Sequence, residues 1–155
     1  MTAGDGNGWV QCALGHRHWG RFGAAGLLLR RTDPEAGDAG PTQVLLQHRA
    51  PWTAHGDTWG LVGGARDSFE TAADAAVREA HEEAGVPAVV VRVVDELVDD
   101  HGDWSYVTVI AELVAPFVPV ANDESLELRW VAETGVDQLD LHPGFARTWP
   151  RLRRH

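Results

Sequence analysis

The sequence contains no lysine; all 13 of its basic residues are arginine. That absence removes a lysine Schiff base and the phosphate-binding loop whose lysine reaches nucleotide phosphates. A single cysteine, Cys12, excludes an internal disulfide and any zinc site built on several thiolates. Serine occurs only at Ser68, Ser105 and Ser125, none of them in a G-x-S-x-G elbow. Apolar runs are short, a handful of residues as in Ala88–Val91, so nothing here spans a bilayer as a helix. Positive charge is scarce as well. The 23 acidic residues leave a net charge of −10, which suits neither a nucleic-acid polymer nor an anionic membrane as partner. Met1–Gly8 lacks the basic-then-apolar order of a secretory signal, and with the free thiol this leads us to expect cytoplasmic residence.

What is present is an ordinary globular composition, 44% hydrophobic and 23% charged over 155 residues, enough for one core. Residues 1–8 read as a flexible tail and residues 9–155 as a single domain. Short aliphatic runs predict strands at Ala24–Arg31, Gln43–Arg49, Trp59–Val62, Ala88–Val98 and Trp104–Val114. Ser125–Ala132 alternates polar and apolar, as a half-buried strand does. Thr32–Thr42, dense in Gly, Pro and Asp, reads as an exposed loop, and Asp99–Asp103 as a hairpin turn. Shorter helices are expected at Glu133–Leu139 and from Gly144 onward. The clearest helix is Phe69–Ala84, with Asp67 as N-cap, Glu70 three residues on, and Gly85 and Pro87 ending it. Phe69, Ala73, Ala76, Val77, Ala80 and Ala84 form its apolar stripe. Strands, one internal helix, more strands and then helices argue for an α+β fold, an α/β/α sandwich with a mixed sheet.

That helix carries an arrangement that needs a reason. Glu79, Glu82 and Glu83 share one face, and like charges three and four residues apart repel by a few tenths of a kcal/mol per pair (~0.2–0.5). They also sit toward the C-terminal end of the helix, the unfavourable end for anions. A bound divalent cation such as Mg²⁺ or Mn²⁺ would remove that penalty, because clustered carboxylate oxygens suit hard ions. A solvated acidic face is the competing explanation for three glutamates alone.

The surrounding residues decide between them. Gly64–Val86 (GARDSFETAADAAVREAHEEAGV) fits G-x5-E-x7-R-E-U-x-E-E-x-G-U, with U apolar, at Gly64, Glu70, Arg78, Glu79, Glu82, Glu83 and Gly85. This segment resembles the Nudix box, and the chain resembles the Nudix hydrolase (MutT-like) family. Trp59-Gly60-Leu61-Val62-Gly63-Gly64 is similar to the family's W-x-L-P-G-G approach, with Val62 in place of proline; Ala80 is smaller than the usual aliphatic.

The resemblance implies the Nudix sandwich with its loop–helix–loop catalytic unit. It implies metal binding by Glu79, Glu82 and Glu83, helped by the Gly64 carbonyl, with Mg²⁺ as cofactor and Mn²⁺ as a substitute. Arg78 would orient the glutamates, with Glu70 as its partner. The implied reaction is pyrophosphohydrolysis of a small nucleotide, a nucleoside diphosphate linked to another group, by water attack at phosphorus. Glu79 is one candidate general base. Outside the box the candidates are Glu127 and Glu124, with Asp99, Asp100 and Asp103 behind them.

Arg49, Trp52 and Trp104 are candidate substrate-binding residues, Trp52 and Trp104 as platforms for a base, although core packing competes for any tryptophan. Cys12, His16 and His18 place three potential ligands together, but on a glycine-flanked segment we read them as incidental. Gly102 and Trp104 stand where two subfamilies carry a proline and a tyrosine, so the subfamily stays open. A non-catalytic Nudix-fold nucleotide sensor is the alternative function; such proteins commonly lose box glutamates, and this chain keeps all of them. Dimers are common in the family, so a homodimer is compatible with the resemblance, though no residue marks an interface.

Overall fold

The computed structural model describes residues 4–35 and 40–154. Its centre is β3 (Ala24–Thr32), in which Ala25, Leu27, Leu28 and Leu29 are all fully buried. A strand apolar on both sides requires cover on both faces of its sheet. Burying each such leucine contributes about 1.5–3 kcal/mol before chain entropy is counted. On one side β3 pairs in parallel with β8 (Ser105–Leu113), which continues antiparallel to β7 (Val91–Asp100). On the other it pairs antiparallel with β4 (Thr42–Arg49) and β6 (Val62–Ala65), and β4 in turn with β5 (Trp59–Gly60) and β9 (Ser125–Ala132). The sheet is therefore mixed.

Each face has its own helix. Ala25, Leu27, Leu29 and Leu45 meet Ala72, Ala75, Ala76, Ala80 and Ala84 of α1 (Ala72–Ala84). Alanines let this helix axis come close to the sheet, which brings its polar flank near the strands. Leu28, Val44, Leu46 and Ile110 point the other way and meet Phe145, Trp149 and Leu152 of α2 (Pro143–Leu152). The result is the α/β/α sandwich expected from the order of elements. Among the described residues no helix is long and apolar enough to cross a membrane.

Several boundaries differ from the sequence reading. The helix begins at Ala72, not Phe69, because Thr71 is the N-cap and its side chain accepts from the Asp74 N–H. Phe69 is 80% exposed and leaves the apolar stripe. Asp67 and Glu70 do meet, the Glu70 carboxylate accepting from the Asp67 N–H at 3.0 Å, but in the loop before the helix. At the other end Gly85 adopts φ 68°, the left-handed conformation that suits glycine, and its N–H bonds back to His81 O.

Ala88–Val90 is a 3-10 turn, so β7 starts at Val91; Glu133–Gln138 is 3-10 rather than α. Trp59–Val62 divides into β5 and β6. Unforeseen is a two-stranded ribbon, β1 (Trp9–Gln11) with β2 (Arg17–Trp19). Residues 4–8, taken as part of a flexible tail, make specific bonds: Gly6 N–H donates to Asp67 Oδ1, Asp5 accepts from Ser68, and Gly8 O accepts from Gly20 N. Residues 1–3 of that expected tail, and residues 36–39 of the expected Thr32–Thr42 loop, lie outside the described residues.

Candidate active site

Arg78 organises the loop before α1. Its Nε and Nη2 donate to the two oxygens of Glu70 at 2.7 and 2.8 Å, a bidentate pair. Nη2 also reaches Ala65 O at 3.0 Å, and Nη1 donates to Glu79 Oε1 at 2.9 Å. Glu82 lies 3.7 Å from Nη1. The Glu70 hydrogen bond raises the guanidinium's pKa further, and in return Arg78 holds the Glu70 carboxyl below its ordinary value. One cation thus ties the loop to the first two box glutamates.

Glu83 is different: its side chain is buried, and it turns toward the sheet rather than toward Arg78. There it accepts from Gln47 Nε2 at 3.0 Å, and the same amide nitrogen donates to Ser125 Oγ at 2.7 Å. Burial, the neighbouring Glu79 carboxylate and the charge of Glu124 push Glu83 well above the usual carboxylate range. Burial also raises Glu79, against the pull of Glu83 and Arg78. Two acids held this close inside protein share a proton unless a cation replaces it. Gly64 completes the cradle. A Cβ there would lie 2.6 Å from the Glu79 carboxyl carbon, so only glycine lets the β6 backbone approach the carboxylate. Oxygen donors only, crowded and short of positive charge on the sheet side, fit a hard divalent cation.

Among the candidates outside the box, strand register places Glu127. Gln47 pairs with Leu128 in the β4–β9 register and His48 with Glu127, so Glu127 shares the face of His48, opposite Gln47 and Glu83. Its carboxylate pairs with Arg129, whose guanidinium stacks over Trp59. Glu127, a candidate base in the sequence, thus stands on the face away from Gln47. Glu124, before β9, is the outside carboxylate whose charge acts on Glu83. Of the remaining carboxylates named from sequence, Asp99 bonds His101 and Arg147 and Asp103 accepts from Ala13 N.

Arg49 donates from Nε and Nη2 to Ala54 O, holding the loop after β4. Trp52, in that loop, is 72% exposed. Trp104 is buried; its N–H donates to Gly20 O and its ring is stacked by His18 at 3.8 Å. Trp104 is thus packed, the alternative that the sequence left open for a tryptophan. A cleft of about 500 Å³ beside it, lined by Arg21, Arg66, Asp67 and Ser68, borders the loop but not the glutamates. Carboxylate chemistry, rather than cavity size, locates the site. Gln47 was missed from sequence, although a glutamine inside the apolar run VLLQ is the signal of a buried polar group with a task.

A seven-residue pattern folded into one cluster, on one loop–helix unit of an α/β/α sandwich, defines a hydrolase of phosphoric anhydride bonds. The chain belongs to the NUDIX domain family, whose sequence profile matches residues 21–152. Among its relatives is a Mycobacterium tuberculosis protein named "Putative 8-oxo-dGTP diphosphatase 3". It is 52% identical over 161 residues, spanning 99% of this chain and 71% of that protein. A fusion protein of Bifidobacterium longum, named as a nucleoside triphosphate pyrophosphatase/Nudix hydrolase, is 45% identical over 95% of this chain and 31% of its own length. Among solved structures, the Nudix hydrolase RenU of M. smegmatis superposes with a TM-score of 0.87 at 52% identity, covering 96% of this chain and 94% of that one. A C. elegans Ap4A hydrolase shares the fold, with a TM-score of 0.67 at 19% identity over 86% of this chain and 96% of that one.

Proposed function

We propose that this protein is a divalent-cation-dependent pyrophosphohydrolase of nucleoside triphosphates. The observation that carries the reading is the pairing of Glu79 and Glu83 in a buried, oxygen-only cradle against Gly64, with no cationic side chain among the described residues bonded to Glu83. Glu79, Glu82, Glu83 and the Gly64 carbonyl would hold Mg²⁺, or Mn²⁺ in its place. When bound, such an ion neutralises charge developing on phosphoryl oxygens and makes water a better nucleophile.

The chain's own groups do the rest. Arg78 fixes Glu79 and Glu82 from one side, and Gln47 fixes Glu83 from the other. Glu124 would take the proton of the attacking water, a role supported by its charge acting on Glu83 from outside the box. Trp52 offers an uncovered indole on which a base can stack, and Arg49 shapes the loop that presents it. The substrate class is supported by the name of the Mycobacterium tuberculosis relative, with a triphosphate of an oxidised purine deoxynucleoside as the first compound to try. The net charge of −10 supports a small nucleotide rather than a nucleic-acid polymer as partner.

Phosphorus NMR of a nucleoside triphosphate panel with Mg²⁺ or Mn²⁺ tests this directly. Pyrophosphate and a monophosphate are expected, and Glu82→Gln should reduce turnover by more than about 100-fold while thermal unfolding stays in place. Intact nucleotides across the panel, despite binding, would show a sensor instead.

A further inference from the structure

A second ligand cluster lies outside the acidic helix. Cys12 and His16 flank the turn between β1 and β2, His18 is in β2, and His101 comes from the turn between β7 and β8, more than 80 residues away in sequence. One ligand atom from each of these four side chains lies within 4.8 Å of every other. Two nitrogens in the group, His18 Nε2 and His101 Nδ1, are buried without a hydrogen-bond partner among the described residues. Leaving buried ring nitrogens unpaired is costly, so the arrangement is incomplete as it stands.

The surroundings prepare His101 as a ligand. His101 is 7% exposed, and its Nε2 lies 3.2 Å from Asp99 Oδ2, which also accepts from Arg147 of α2 at 2.6 Å. A carboxylate only accepts, so with Asp99 as partner the ring proton belongs on Nε2 and Nδ1 keeps a lone pair free for a metal. A carboxylate behind a histidine is the usual support of a metal-ligating imidazole. The ribbon is fixed from two further directions. Ala13 N–H donates to Asp103 at 2.7 Å, and the Trp104 ring that stacks on His18 bonds to Gly20 O.

We infer that Cys12, His16, His18 and His101 form a binding site for a borderline transition-metal ion of the Zn²⁺ class, separate from the carboxylate site on α1. One thiolate and three imidazoles make a nitrogen–sulfur donor set that Mg²⁺ does not use and a tetrahedral ion does. Tetrahedral Zn²⁺ needs ligand atoms roughly 3.3–3.8 Å apart. The cluster therefore closes by about 1 Å on binding, a movement within reach of the exposed His16 side chain. Binding releases the Cys12 thiol proton to solvent, changes no oxidation state, and clamps the ribbon onto the β7–β8 turn.

The test uses the full chain, stripped with a chelator, dialysed, and titrated with Zn²⁺ or Co²⁺. One equivalent of Zn²⁺ should bind and raise the unfolding temperature. Co²⁺ should show visible tetrahedral bands and a sulfur-to-metal charge-transfer band that Cys12→Ser abolishes. His16→Ala, at an exposed position that the fold does not need, should weaken Zn²⁺ at least tenfold while leaving Mg²⁺-supported hydrolysis unchanged. No stoichiometric uptake, no charge-transfer band, or Zn²⁺ affinity equal in wild type and His16→Ala would each overturn the site.

Discussion

Two ligand clusters occupy this small protein, and they were built by opposite means. The carboxylates at 79, 82 and 83 come from about one turn of a single helix, so local periodicity alone puts them together. The cluster of Cys12, His16, His18 and His101 exists only because a ribbon docks on a distant turn. The first set is acidic and kept in order by Arg78 and Gln47; the second is one thiol and three imidazoles, supported by Asp99 and Trp104. The contrast teaches that a helix can announce its site in the primary structure, whereas a site between elements waits for topology.

Three perturbations sharpen the contrast. The largest effect is expected at Arg78. Arg78→Ala would leave Glu70, buried and bidentately bound, without its partner, and should destabilise the fold by about 3 kcal/mol. It should also abolish most hydrolysis, with Zn²⁺ uptake at the other cluster intact in the folded fraction; chemical denaturation and the Co²⁺ spectrum read the two separately. Loss of both at once would show that the clusters are not independent.

Next is Gln47→Leu, which removes the amide holding Glu83 at 3.0 Å but keeps the side chain's bulk. Turnover should fall about tenfold with KM little changed, since the substitution disturbs a positioning group rather than the binding surface. A change confined to KM would move Gln47 into the substrate pocket.

The smallest effect concerns pH and α2, the helix that carries Arg147 and so stands behind Asp99 and His101. His142 caps α2 by accepting from the Gly144 N–H at 3.0 Å. Burial, with Arg49, His55 and Arg147 nearby, lowers its pKa to about 4. Because the folded value lies below the ordinary 6.5, the unfolded chain binds the proton more readily. The neutral cap's contribution is therefore complete above about pH 6.5 and is lost as pH falls toward 4. His142→Asn, a cap that does not titrate, should flatten the acid side of the stability profile measured by denaturant unfolding across that window. An unchanged slope would remove His142 from the acid response.

Much of the sheet was legible because β3 and β4 carry aliphatic runs at the positions that are buried, and β9 alternates polar and apolar residues along its sequence. The helix start was not. Asp67 and Glu70 have capping-box spacing, but Arg78 recruits Glu70 into the loop, and Thr71 takes the capping role. The ribbon of β1 and β2 escaped notice because three-residue strands carry too few side chains for a period to show. Glu127 and Glu124 looked equivalent on paper. Register turns Glu127 to the face opposite Gln47, whereas Glu124 precedes the strand, which starts at Ser125.

The amino-acid order alone determined the acidic triad, its arginine and the glycine at each end, because spacing along one helix and the demands of backbone conformation are local matters. Folding decided the rest: that Glu83 would be buried against Gln47, that Glu124 rather than Glu127 would stand near it, and that His101 would join Cys12, His16 and His18. Those outcomes depend on which strands pair, in what register, and what each packed face removes from water.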